Sequence, residues 1–170
     1  MLEGSLVVLR APTDSDRTVL HALRNDLPLQ AQLMGLPRAN SAERVQEWLG
    51  RMLGDPSVVF FVVASRADGR ALGYIQLARM DHVHGTADLG ICLAEDARGG
   101  GRAGEALDLL EGYARTVFGL RKILLQVLAS NARAIQFYFK AGYAPAGTLA
   151  RHHYHAGVHH DVRIFEKFLL

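Results

Sequence analysis

The chain has 170 residues, 49% hydrophobic and 21% charged, with 19 Lys+Arg against 17 Asp+Glu and a formal net charge of +2. That is one domain's worth of chain, 1–170, and the composition excludes a disordered, collagen-like or coiled-coil protein. The even charge gives no ground for nucleic-acid or membrane binding, the lone Cys92 excludes an intramolecular disulfide or a four-Cys zinc site, and no apolar run reaches the roughly 18 residues of a membrane span.

Met1–Arg10 lacks a charged-then-apolar leader, so a cytoplasmic protein is expected. Leu6–Leu9 is a short apolar run before Pro12 and reads as a first strand. Thr13–Asp16 is polar and caps a helix carrying Val19, Leu20 and Leu23. Asn25–Asn40 reads as irregular, broken by Pro28, Gly35 and Pro37. Ser41–Arg44 opens a second helix with Val45, Trp48, Leu49 and Met52 on one face. Gly54–Pro56 ends it.

Three strands follow. Ser57–Ala64 is β-branched and aromatic, Ala71–Met80 returns through the Ala67–Arg70 turn, and Thr86–Leu93 comes after a turn at His82–Gly85. A glycine-rich stretch, Arg98–Gly104, leads into a helix whose predicted inner face is Ala106, Leu107, Leu110, Tyr113, Ala114 and Val117. Lys122–Leu128 is a buried strand. Ser130–Asn131 starts a short helix to Lys140, and two strands, Ala146–His155 and Val158–Phe168, meet at Ala156–Gly157. The order predicts a mixed α/β layer fold of seven strands and four helices with an antiparallel front half.

The stretch Arg98-Gly99-Gly100-Gly101-Arg102-Ala103-Gly104 stands between an apolar strand and a helix. Glycines let successive N–H groups turn towards one point, the helix N-terminus adds partial positive charge, and two arginines add more. This reads as a diphosphate cradle; the alternative is a helix-starting turn with no ligand. Gly99, Gly101 and Gly104 spell the dinucleotide pattern GxGxxG, but Ala94–Arg98 separate it from its strand. The next strand ends in Gln126–Leu128 without the required acid, and no Gly-Lys-Ser/Thr follows the loop.

Arg98, Gly101 and Ala103 fit the Arg/Gln-x-x-Gly-x-Gly/Ala loop of the GCN5-related N-acetyltransferases. About 30 residues on, Asn131 to Tyr143 fits that family's Asn-x-x-Ala-x-x-x-Tyr-x-x-x-Gly-Phe/Tyr pattern without a gap. The chain resembles this family over nearly its whole length, most of all the branch that modifies ribosomal-protein N-termini and small amines. The resemblance implies a central, mostly antiparallel, splayed sheet of about seven strands flanked by about four helices. It implies acetyl-CoA as co-substrate, lying in a wedge between Thr86–Leu93 and Lys122–Leu128. Ile91, Cys92 and Leu93 would offer backbone to the pantetheine amides, Arg98–Gly104 would hold the diphosphate, and Asn131 would stand near the pantetheine. Binding through unpaired strand N–H and C=O groups satisfies both partners, as an added strand does.

Acetyl transfer to an amine needs a neutral amine, donors for the carbonyl oxygen and a proton for the leaving thiolate. A lysine-like amine has a pKa near 10.4 and is mostly charged at pH 7. The resemblance puts Tyr138 beside the CoA sulfur as proton donor; the alternative is a core tyrosine. Asp88, early in the third front strand, is the candidate base, directly or through water, with pairing to an arginine as the alternative. His82, His84 and His153 are rivals, because the reference value of an imidazole, near 6.5, suits base work. Cys92 reads as a small buried strand residue rather than a nucleophile.

His152, His153, His155, His159 and His160 flank one hairpin turn, where two facing imidazoles can take up Zn²⁺ or Ni²⁺. No Cys or acid cluster accompanies them, so no dedicated metal is expected. The hairpin borders the acceptor pocket or faces solvent, and Asp161 beside it is placed to orient an amine. Leu33, Met34, Leu36 and Pro37 suit an acceptor with some non-polar surface. The expected function is direct acetyl transfer to a primary amine of a small molecule, of amino-sugar or polyamine type, by a monomer or homodimer. The alternatives are acetylation of a protein N-terminus such as a ribosomal protein's, a non-catalytic acyl-CoA-binding module, and a metal-binding protein.

Overall fold

The structure is a computed structural model describing residues 1–170. The elements are β1 (Leu2–Glu3), β2 (Val7–Arg10), α1 (Arg17–Asn25), α2 (Leu27–Gln32), α3 (Ala42–Gly54), β3 (Val59–Ser65), β4 (Ala71–Asp81), β5 (Thr86–Leu93), α4 (Arg102–Phe118), β6 (Lys122–Leu128), α5 (Ala132–Lys140), β7 (Ala144–His155) and β8 (Val158–Phe168). All eight strands join one sheet in the order β1-β2-β3-β4-β5-β6-β8-β7. This is the mixed, mostly antiparallel fold expected, enlarged by β1 and α2. A two-residue strand has no periodicity to read. α2 lay in the stretch read as irregular because Pro28 looked like a break. Pro28 sits in the helix's first turn, where a missing N–H costs nothing, and Asp26 caps that turn by accepting from Leu29 N at 3.0 Å.

Every neighbouring pair is antiparallel except β5–β6. Parallel strands need a crossover, which α4 provides. Their pairing is short: Thr86↔Lys122, Ala87↔Ile123 and Asp88↔Leu124. Beyond it β5 runs on to Leu93 and β6 to Leu128 without pairing each other, so the sheet parts along its middle.

Two hydrophobic clusters cover the sheet's two faces. Ile75, Leu77, Leu89 and Leu125 pack with Leu107 and Leu110 of α4 and with Phe165. Phe60, Val62, Tyr74 and Cys92 pack with Leu20 and Leu23 of α1, Leu29 of α2, and Val45 and Leu49 of α3. The period-2 alternation of β4 separates Tyr74 from Ile75 and Leu77. Trp48 meets Phe60 and Tyr74 edge-on at 5.6 and 5.5 Å.

One predicted face needs correction. Val117 of α4 is 57% exposed, whereas Glu111, polar by pattern, is buried. In the last turn of α4 Phe118, not Val117, packs against the core, and Tyr143 and Lys167 take up the Glu111 carboxylate.

Candidate active site

The parting of β5 and β6 opens a cavity of about 340 Å³. It is lined by residues from both faces of the sheet: Leu29 and Cys92 from one cluster, Leu93 and Tyr138 from the other.

Gly99, Gly100 and Gly101 have φ of 84°, 62° and 81°, three consecutive residues in the left-handed region that glycine alone adopts cheaply. This run turns successive N–H groups inwards, ends on Gly101 as the N-cap of α4, and sets the helix's positive end against the cavity. Arg98 donates from Nε to the Leu93 carbonyl at 3.2 Å, tying the loop to the end of β5. Arg98, Gly99, Gly101, Ala103 and Gly104 line the cavity together with Ile91, Cys92 and Leu93. Gly100 and Arg102, expected in the same set, belong to the loop but not to the lining. A concave run of N–H groups with adjacent guanidinium fits a diphosphate, and the unpaired backbone of β5 fits amides.

α5 forms another wall. Asn131 is its N-cap, accepting from Ala134 N at 3.2 Å, and lines the cavity beside Tyr138. Tyr138 is 8% exposed, and burial pushes its hydroxyl up to about 12, so it stays protonated at neutral pH. Its ring meets Phe137 at 5.2 Å and Tyr143 at 5.7 Å, both edge-on. Cys92 is buried, and that burial pushes its thiol up to about 12, leaving it a neutral wall residue.

Asp88 does not line the cavity. It stands on the last paired rung before the strands part, and its carboxylate is engaged by Arg79, with Arg79 Nε at 2.5 Å. Arg79 reaches it from an irregularity in β4, at φ 50°. The other polar candidates lie elsewhere. Asp161 accepts from Arg151 N at 2.7 Å and stabilises a bulge in β7. His153 and His160 face each other across β7–β8, and burial followed by the neighbouring histidines lowers the His153 pKa. No cluster of three or more His, Cys, Asp or Glu is arranged to hold a metal. His82 packs near Phe118, away from the split.

Of the four apolar residues expected to face an acceptor, Leu33 lines the cavity at the C-cap of α2 and Met34, Leu36 and Pro37 do not; the sequence reading missed Leu29 and Gln32 of α2 and Arg133, Ala134 and Phe137 of α5. The α5 residues were legible as the turn following Asn131. The α2 wall had one available signal, Asp26 two residues before a proline, a cap followed by a first-turn Pro.

A family model described as Acetyltransferase (GNAT) domain matches residues 7–144. The chain is 26% identical over 160 residues to a spermidine N(1)-acetyltransferase of Vibrio cholerae, covering 94% of this chain and 91% of that one. It is 30% identical over 143 residues to a spermidine N(1)-acetyltransferase of Escherichia coli K12, covering 84% and 75%. Among solved structures, the Vibrio cholerae spermidine N-acetyltransferase in complex with CoA and spermine superposes with a TM-score of 0.89 at 24% identity, covering 98% and 97%. A dodecameric structure of the Vibrio cholerae enzyme superposes at 0.82, also at 24% identity and covering 98% and 95%. That assembly is larger than the monomer or homodimer expected here from sequence. No helix of the present chain is long and apolar enough to cross a membrane.

Proposed function

The chain belongs to the GNAT acetyltransferase family, and we propose that it transfers the acetyl group of acetyl-CoA directly to the primary amine of a small aliphatic molecule, within one domain spanning 1–170. The observation that carries this reading is the cavity where β5 and β6 cease to pair, lined by residues of both core clusters, by the glycine loop and by Tyr138. The curated relatives are named for acting on spermidine, which puts aliphatic amines first among acceptors.

Acetyl-CoA supplies an activated acyl thioester. The loop from Arg98 to Gly104 holds its diphosphate through backbone N–H groups and Arg98, with Arg102 adding charge from the first turn of α4. Ile91, Cys92 and Leu93 pair with the pantetheine amides, and Asn131 stands at the same wall. This anchoring replaces a bimolecular encounter by an oriented one, worth up to about 7–11 kcal/mol of barrier in the best cases. Asp88, at the apex of the split and oriented by Arg79, takes the proton of the incoming ammonium through a water. The amine's nitrogen bonds to the acetyl carbon, and as the carbon–sulfur bond breaks Tyr138, neutral and buried, gives its proton to the departing sulfur and takes back the second proton that the nitrogen sheds. Direct transfer needs no nucleophile from the protein, in keeping with a neutral Cys92.

The test is thiol release from acetyl-CoA over a panel of primary amines, wild type beside Tyr138→Phe. Turnover of an amine, with a fall of roughly 10² or more in kcat for the variant and unchanged acetyl-CoA affinity, is expected. Acetyl-CoA raising the melting temperature without turnover of any amine overturns the transfer reading in favour of a binding module.

A further inference from the structure

We propose that Leu29 and Leu33 make this chain select its acceptor by an apolar alkyl arm rather than by a second positive charge. The inference rests on the acetyl-transfer reading and concerns the wall of the split that α2 contributes. α2 is pinned in place. Asp26 caps it, and the buried Gln30 donates from Nε2 to the Leu23 carbonyl at 2.9 Å while accepting from Arg24 Nη1 at 3.1 Å. Leu29 is 8% exposed and packs in the cluster that holds Cys92, whereas Leu33 is 37% exposed at the helix end. Both line the cavity, and the cluster that holds Leu29 covers the sheet face opposite that of Tyr138, which leaves the α2 side for the acceptor.

This wall carries no negative charge. No residue lining the cavity is Asp or Glu, and its only charged residues are Arg98 and Arg133. Residues 27–42 contain no carboxylate at all. Outside the lining, Asp26 is engaged by the α2 N-terminus and Asp161 by Arg151 N, and Asp88, paired with Arg79, is the base assigned to the reacting amine and so serves no second one. A second ammonium on the acceptor would lose water here and meet no counter-charge, which is unfavourable. Methylenes laid on Leu29 and Leu33 would each gain roughly fourfold in kcat/KM, the equivalent of one buried CH₂.

The experiment measures kcat/KM for propyl-, butyl-, pentyl- and hexylamine, 1,6-diaminohexane and spermidine at low and high salt. The full-length wild type is compared with Leu33→Asp, a substitution at a position exposed enough to tolerate it. The expected result is a rise of roughly fourfold per methylene, hexylamine at or above the diamine, and little salt dependence of the acceptor KM. Leu33→Asp is expected to move the preference towards the diamine and spermidine by roughly two- to fivefold, the worth of one exposed ion pair, with the acetyl-CoA KM unchanged. A flat alkyl series, a wild-type preference of tenfold or more for the diamine or spermidine, or no shift in Leu33→Asp overturns this inference and leaves acetyl transfer standing. Failure of every amine, with acetyl-CoA still raising the melting temperature, overturns both.

Discussion

Tyr143 donates its hydroxyl to Glu111 Oε1 at 2.9 Å inside the core, across the seam between the end of α5 and the middle of α4. Lys167 of β8 donates to the other carboxylate oxygen at 2.5 Å and lies over the Tyr143 ring at 5.6 Å. Tyr143 also donates its backbone N–H to the Tyr138 carbonyl at 3.0 Å and packs its ring on that of Tyr138. One buried carboxylate thus ties three elements around the tyrosine at the split.

Breaking that tie is expected to cost stability asymmetrically. Tyr143→Phe removes one buried hydrogen bond but leaves Glu111 paired, for about 1–3 kcal/mol. Lys167→Met leaves a mostly buried carboxylate without its cation, for about 3 kcal/mol or more. Urea unfolding at pH 7 measures both. Losses within the roughly 0.5 kcal/mol of ordinary surface substitutions would show that the network contributes nothing.

Asp88→Asn tests the proposed base. At pH 7 the acceptor amine is almost wholly protonated, and removing the carboxylate is expected to lower kcat/KM by about 10²-fold. As pH approaches the amine's own value near 10.4, the free amine rises and the variant should converge on the wild type. A pH–rate profile checks this. A constant ratio from pH 7 to 10 would instead assign Asp88 to an ion pair with Arg79 alone.

The glycine run makes a conformational prediction. Gly99 at φ 84° has open space where a Cβ would stand, so Gly99→Ala strains the backbone without a clash. The strain is about 1–2 kcal/mol. Relief by flattening the turn would rotate N–H groups away from the diphosphate. Calorimetric titration with CoA is expected to show at least about tenfold weaker binding, whereas desphospho-pantetheine fragments should bind as before. Equal loss for both would place the diphosphate elsewhere.

Glu105 supplies an acid-dependent part of stability. Burial penalises its carboxylate, but hydrogen bonds from the Ser5 hydroxyl and from the N–H groups of Leu6, Val7 and Ser5 outweigh that and hold it at about 2. A folded pKa below the unfolded one means stability present above the unfolded value near 4.3 and lost as pH falls towards about 2. Glu105→Gln is expected to flatten unfolding free energy against pH in that window. An unchanged slope would move the acid sensitivity to other carboxylates.

Local chemistry was legible without the fold. Three glycines in a row announce a turn that presents backbone N–H groups at Gly99–Gly101, Asn131 announces a helix start, and the apolar runs of 71–80 and 86–93 announce strands, because each depends on a few neighbouring residues. The resemblance added the placing of Tyr138 on the wall of a CoA-binding split. What the tertiary structure decided depends on distant segments meeting. The β5–β6 pairing stops after Asp88↔Leu124, and the cavity beside the unpaired end of β5 is lined by residues of both core clusters. Arg79 reaches back to Asp88 from a strand irregularity, Glu111 is tied into the core by Tyr143 just beyond α5 and by Lys167 of β8, and Pro28 lies within a helix that walls the cavity. Register and long-range charge pairing leave no periodic trace in the chain, so only packing reveals them.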